Sequence, residues 1–439
     1  MLDRTTPPAI QQTSFSFRKP AELILANGTP LYIIEAAGLD AVRIDFVFTA
    51  GQCHQSRKLQ ALFACRMLRE GCRGYSAAEF AERLDYYGAW LELSVSMNRS
   101  FVTLYTLKKH FASTIELVQR MLTEPSYSEE QFNTVRANNK AQLLVSLQKG
   151  DVQAMRALRH SIYGPEHPCG MNATPEDYDT LRVTDAIDFY RRYYGSHTCQ
   201  IYLSGDVDSG VLEQVEALFG REAWGSEVKS EELRVKSSLL ADAHSETPKQ
   251  DVQFIPHPTA VQDSIRMGCL LMDVTDADYL PMRVLAAVLG GYFGSRLMKN
   301  IREEKGYTYH IGADLVTNTS QTLFLIHCEA QAGKASEVID EVRREMQRLQ
   351  AEPISDEELC MVRNYMTGEI CRNYESAFAL TDAYIFIHSL GLPIEHIEHT
   401  LEAIGSTDAT RLQQLAQRYL RPEMLHCVVA SSTSPAQQL

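Results

Sequence analysis

The chain has 439 residues, 45% of them hydrophobic and 22% charged; at roughly 150 residues per domain, that is room for two or three domains with cores of their own. Against 56 acidic residues stand 42 basic ones, a net charge of −14 with no long basic run, which argues against a nucleic-acid partner because a phosphate backbone rewards clustered lysine and arginine. No stretch reaches the ~18 consecutive apolar residues of a membrane span. The opening MLDRTTPPAIQQTSFSF lacks the apolar run of a secretory signal, and ten cysteines are scattered without a CxxC pair, a pattern that suits buried thiols in a reducing compartment, the cytoplasm by expectation.

In chain order, the first strand signal is RIDFVFTAG, where Ile44, Phe46 and Phe48 alternate to one face. A helix-rich stretch containing LQALFACRMLREG (59–71) follows. FVTLYTLKKHFASTIELVQRML (101–122) reads as strand then helix, TEPSYSEEQFNTVR opens another helix, and TDAIDFYRRYY (184–194) is one more. Residues 226–258 are polar, charged and proline-marked, a linker by composition. Beyond them the order returns. Ile265, Met267 and Cys269 alternate in SIRMGC, TLFLIHCEAQAGKASEVIDEVRREMQRL is strand then helix, and AEPISDEELCMVR and TDATRLQQLAQRYL close the second round. Ser128 and Ser355, Val135 and Val362, and Arg136 and Arg363 are each 227 positions apart.

That spacing is too long for a solenoid. It implies two similar α+β domains, 1–225 and 259–439, joined by the linker 226–258, with the crevice between them as the default binding site.

Residues 294–309, GSRLMKNIREEKGYTY, stand out in the second half. Ser295 is placed to cap a helix whose apolar stripe is Leu297, Met298 and Ile301, with Arg302 on another face. Gly306 ends it in the left-handed conformation. From Tyr307 the pattern alternates, with Tyr307, Tyr309 and Ile311 on one side and Thr308 and His310 on the other. Arg302 and Tyr309 supply fixed donors of the kind that stabilise a developing oxyanion; the plain alternative is a solvated helix end.

The stretch VQDSIRMGC…YLPMRVLAAVLGGYFGSRLMKNIREEKGYTYHIGA (261–313) resembles the C-terminal half of insulinase/pitrilysin-type zinc peptidases in their short, two-domain form. The carriers are Gln262 heading a strand, Leu289-Gly290-Gly291, Ser295-Arg296-Leu297, and Arg302 with Tyr309 seven positions on. LANGTPLYII, LDYYGAWLELSVS, IYGPEHPCG (162–170) and YLSGDV (202–207) match in the first half, so the likeness covers nearly the whole chain. It implies an α+β fold of two similar domains, each a mainly antiparallel sheet with helices packed on it, facing each other as a clam. It also implies substrate-binding roles for Arg302 and Tyr309.

The zinc motif of that family is an inverted HxxEH, two histidine ligands flanking a general-base glutamate, completed by a distal glutamate. Just before Met67, Leu68 and Gly71 the corresponding positions read Leu62, Phe63, Ala64, Cys65 and Arg66. The distal acid falls near 139–142, where no acid occurs between Glu130 and Asp151. No HxxEH or HExxH occurs in the chain, and the one close histidine pair, His396 and His399, lies among acids as a solvated helix face does.

The expectation is a non-catalytic subunit of a heterodimeric insulinase-like zinc peptidase. It would bind no metal itself and would lend Arg302, Tyr309 and half a chamber to an HxxEH-bearing paralogous subunit that holds the zinc. Its substrate would be a peptide or small protein. The alternatives are a non-enzymatic structural or peptide-binding assembly protein on the same fold, and a hydrolase built on Cys65 or the histidine pair.

Overall fold

The computed structural model describes residues 17–225, 252–317 and 321–433, and two sheets organise it. Most of the predicted linker, 226–251, lies outside the described residues. The first sheet is built from β1 (Ala21–Ile24), β2 (Pro30–Glu35), β3 (Ala41–Phe48), β4 (Trp90–Val95), β5 (Ser100–Leu107) and β6 (Cys199–Gly205), in the order β1-β2-β6-β3-β5-β4. The second comprises β7 (Gln253–Pro256), β8 (Gln262–Asp273), β9 (Thr308–Thr317), β10 (Gln321–Gln331) and β11 (His426–Ser431), in the order β9-β10-β8-β11-β7. Read from the other edge, the second order is the first without β1. Each sheet has one parallel pair, β2 with β6 and β7 with β11; the rest is antiparallel.

The sequence repeat is therefore a repeat of topology, and its matched residues do matched work. Ser128 and Ser355 both cap helices, accepting from the backbone N–H of Gln131 at 3.5 Å and of Glu358 at 3.2 Å. Arg136 donates to the Leu181 carbonyl at 2.8 Å, and Arg363 to those of Ile404 and Thr407 at 3.0 and 2.8 Å. Each arginine thereby ties its long helix to the turn that opens the helix TDA begins.

One face of each sheet packs on helices of its own half. Phe46, Phe48, Phe63, Ile115 and Phe219 share the first core; Met267, Leu285, Phe324, Val342 and Met346 share the second. The other face is covered from across the molecule. The helix Gly150–Tyr163, from the first half, sets its stripe of Ala154, Leu158 and Ile162 against Leu323, Leu325, Val428 and Ala430 of the second sheet. The helix Ala377–Ser389 lies over β2 and β6 of the first sheet. These helices begin 227 positions apart, so the repeat exchanges the same element in both directions.

The exchange explains why β3 is buried at seven of its eight positions rather than alternately. All ten cysteines are free thiols and eight are buried. Among the described residues no helix is long and apolar enough to cross a membrane.

Candidate functional site

Ala287–Gly291 closes its helix as a π turn. A Cβ on Gly290 would lie 2.5 Å from the Ala313 backbone nitrogen, so this turn packs main chain directly on β9. Tyr292 then stacks on Tyr365 with ring centroids 5.1 Å apart. Arg296 forks onto Glu358 at 2.8 and 2.9 Å, the two-point geometry that fixes a guanidinium best. Burial works against that cation, but Glu358 outweighs it and its pKa rises. Ser295 sits at the predicted helix start, where its carbonyl accepts from Lys299 N–H, yet its hydroxyl is buried without a partner among the described residues.

Met298–Glu304 is a π-helix, a form common at functional sites. Asn300 holds it to the helix Ala335–Ala351 through Glu341 and Glu345, at 3.1 and 2.6 Å. Arg302 lies with its guanidinium carbon 4.4 Å from the Phe293 ring centroid, and Phe293 itself is 61% exposed. Gly306, at φ +65°, turns the chain into β9 as expected.

The expected alternation after Gly306 fails. Thr308 pairs with Ala330 and Ile311 with Cys328, leaving Tyr309 and His310 opposite Glu329 alone, a β-bulge. Thr308 Oγ1 pins it, donating to the Glu329 carbonyl at 2.6 Å. The three residues expected on one face are therefore dispersed. Tyr307 packs against the second core beneath Lys334, Ile311 is fully buried, and Tyr309 projects into solvent at 86% exposure. Among the described residues neither Arg302 nor Tyr309 forms an ion pair or a side-chain hydrogen bond, and nothing of either kind joins them to the helix Gln60–Arg66.

That helix carries Leu62, Cys65 and Arg66. Cys65 is buried, its Sγ 3.7 Å from the Ser94 carbonyl and 4.0 Å from that of Phe101. Burial pushes its thiol up to about 12, which disfavours the thiolate a nucleophile needs. A zinc ion does not fit these residues. Leu62 has no lone pair to give, Cys65 offers a single buried sulfur, and Arg66 is a cation. Asn139, near the distal position, spends its amide on the Val135 carbonyl at 2.7 Å. No group of three or more His, Cys, Asp or Glu suited to a metal occurs among the described residues. His396 and His399 diverge, His396 buried and His399 exposed, which corrects the solvated-face reading.

The sequence named none of the residues that line a cavity of ≈ 440 Å³ between the halves. Its floor is the outer face of β3, β4 and β5, and its wall is the helix Ala377–Ser389. Arg43 on the floor bonds Asp45 at 2.8 and 2.9 Å, Asp382 at 2.5 Å and the Phe378 carbonyl at 3.1 Å. Burial opposes the Arg43 cation but the two carboxylates raise its pKa overall; burial pushes the Asp45 carboxyl upward. The signal was present, since an arginine and an aspartate interrupt an apolar strand in AVRIDFVF. Next to the cavity, Tyr202 Oη meets His388 Nδ1 at 2.8 Å across the same boundary.

Residues 180–366 match the family described as "Peptidase M16 inactive domain". The chain is 21% identical over 355 residues to a protein of Helicobacter pylori named "Non-peptidase homolog YmxG", covering 79% of this chain and 78% of that one. The fold is that of the peptidase M16 inactive domain from Pseudomonas fluorescens, at TM-score 0.81 and 18% identity over 94% of this chain and 98% of that one. It is also that of a protease from Helicobacter pylori, at TM-score 0.83 and 14% identity over 94% and 99%.

Proposed function

The chain is an M16-type peptidase homologue, and from that premise we propose that it is the non-catalytic subunit of a two-chain zinc peptidase. It lends Arg302 and Tyr309 to substrate held at the zinc of an HxxEH-bearing partner. The observation that carries this reading is the display of those two side chains. Tyr309 stands out on a pinned bulge and Arg302 rests only on an exposed ring, with no carboxylate in the described residues to receive either. Such donors suit an amide that another molecule brings. The zinc site is taken as lost, because the helix that would hold it offers one buried thiol and a cation. Ten free thiols favour the cytoplasm.

The chain purified alone is expected to hold no stoichiometric zinc and to show no chelator-sensitive cleavage. Joined to a paralogue bearing HxxEH it supports cleavage. In that complex Arg302→Ala lowers kcat/KM about 10²-fold and Tyr309→Phe about tenfold. Unchanged kinetics in both variants would refute the clamp. A second reading, a binding or assembly protein without proteolysis, draws support from the name of the Helicobacter pylori relative; under it no paralogue restores cleavage.

A further inference from the structure

The cavity between the halves is electrically divided. Arg43 is neutralised in place by Asp45 and Asp382, but Arg99, at the tip of the β4–β5 hairpin, has no carboxylate partner among the described residues. Its side chain donates instead to the Thr49 hydroxyl, and burial depresses its pKa, with Tyr202 and Cys53 offsetting that only in part. A guanidinium so placed lacks its counter-charge.

At the far end of the same floor stands Glu92, exposed and held by Trp90 Nε1–H at 2.8 Å, with no cation paired to it among the described residues. Between them lies the Ser94 hydroxyl, while that of Thr103 is spent on Asp45 at 2.7 Å and that of Ser96 on the Arg99 backbone at 3.1 and 3.2 Å, and opposite lie the apolar side chains of Ile385 and Phe386. From Glu92 to the hairpin turn is about 10–13 Å at a strand's rise of about 3.3 Å per residue. Three or four extended residues span the same length.

We propose that this cavity binds a short peptide with free ends, its terminal carboxylate on Arg99 and its ammonium at Glu92. The Ser94 hydroxyl on one side meets one of its amides and the apolar wall takes its side chains. The site goes beyond the subunit reading and uses neither Arg302 nor Tyr309, so it stands or falls separately.

Calorimetric titration of the isolated full chain decides it, with alanyl-leucyl-alanyl-phenylalanine as the probe. The free-ended tetrapeptide is expected to bind below millimolar concentration. Its C-terminal amide and its N-acetyl form should each bind about tenfold more weakly, the loss of one charge-assisted contact. Arg99→Gln should abolish the acid-over-amide preference alone, and Glu92→Gln the free-over-acetylated preference alone. No binding up to several millimolar, equal binding of acid and amide by the native chain, or a preserved acid preference in Arg99→Gln overturns the proposal. Should Arg99→Gln fail to fold, the native ratios and the exposed Glu92→Gln still decide. Because no partner is present, failure here leaves the partner-dependent cleavage experiment untouched.

Discussion

Asp45 is 1% exposed, and its two oxygens are occupied by the Arg43 fork and by the Thr103 hydroxyl at 2.7 Å. Removing Arg43 would leave that carboxylate in an apolar sheet with one neutral donor. Arg43→Met is expected to cost about 3–5 kcal/mol, the penalty for orphaning a buried charge, whereas Arg43→Met combined with Asp45→Leu should recover most of it; denaturant titration of the native chain and both variants reads the loss and the recovery. His396 makes a case in pH. Burial, aided by Arg283 and His399, holds its pKa down to about 4, so the folded chain prefers the neutral ring while the unfolded chain titrates near 6.5. Its contribution is complete above pH ~6.5 and is lost as pH falls through about 4, a loss on the order of 2–3 kcal/mol. Thermal unfolding between pH 7 and 4 should show that acid limb, and His396→Gln should flatten it; an unchanged limb would mean that other groups set it.

At the level of elements, the exchanged helices carry the most consequence. Leu158 is fully buried at the centre of the helix Gly150–Tyr163, among side chains of the other half's sheet. Leu158→Ala is expected to cost about 2–5 kcal/mol. The loss should appear in a single unfolding transition, because neither sheet keeps its outer cover once the exchange breaks. Two separated calorimetric transitions, or one half unaffected by the variant, would contradict this. What could be read in the sequence at this scale is instructive. The alternation in β3 and β8 and the turn at Gly306 are local signals, visible because a few neighbouring residues specify them. The bulge at Tyr309 is not local. It arises where Thr308 meets Glu329 on β10, and so the sequence alternation put Tyr307 and Tyr309 on one side when the sheet separates them.

For the whole molecule, the repeat of 227 residues, the two-sheet α+β architecture and the absence of an HxxEH followed from the order of residue types alone, since periodicity and motif spacing survive without coordinates. Which half covers which sheet did not. The charged pair in β3 read as an interruption, and became a boundary feature only when Asp382, 339 positions from Arg43, closed over it. The cavity floor likewise comes from β3, β4 and β5 while its wall comes from a helix nearly 300 residues later. Local preference and pattern determine elements and their kin. Burial on the outer faces, the split of Tyr309 from Tyr307 and the setting of Arg99 depend on contacts between distant segments, and no window of sequence contains those.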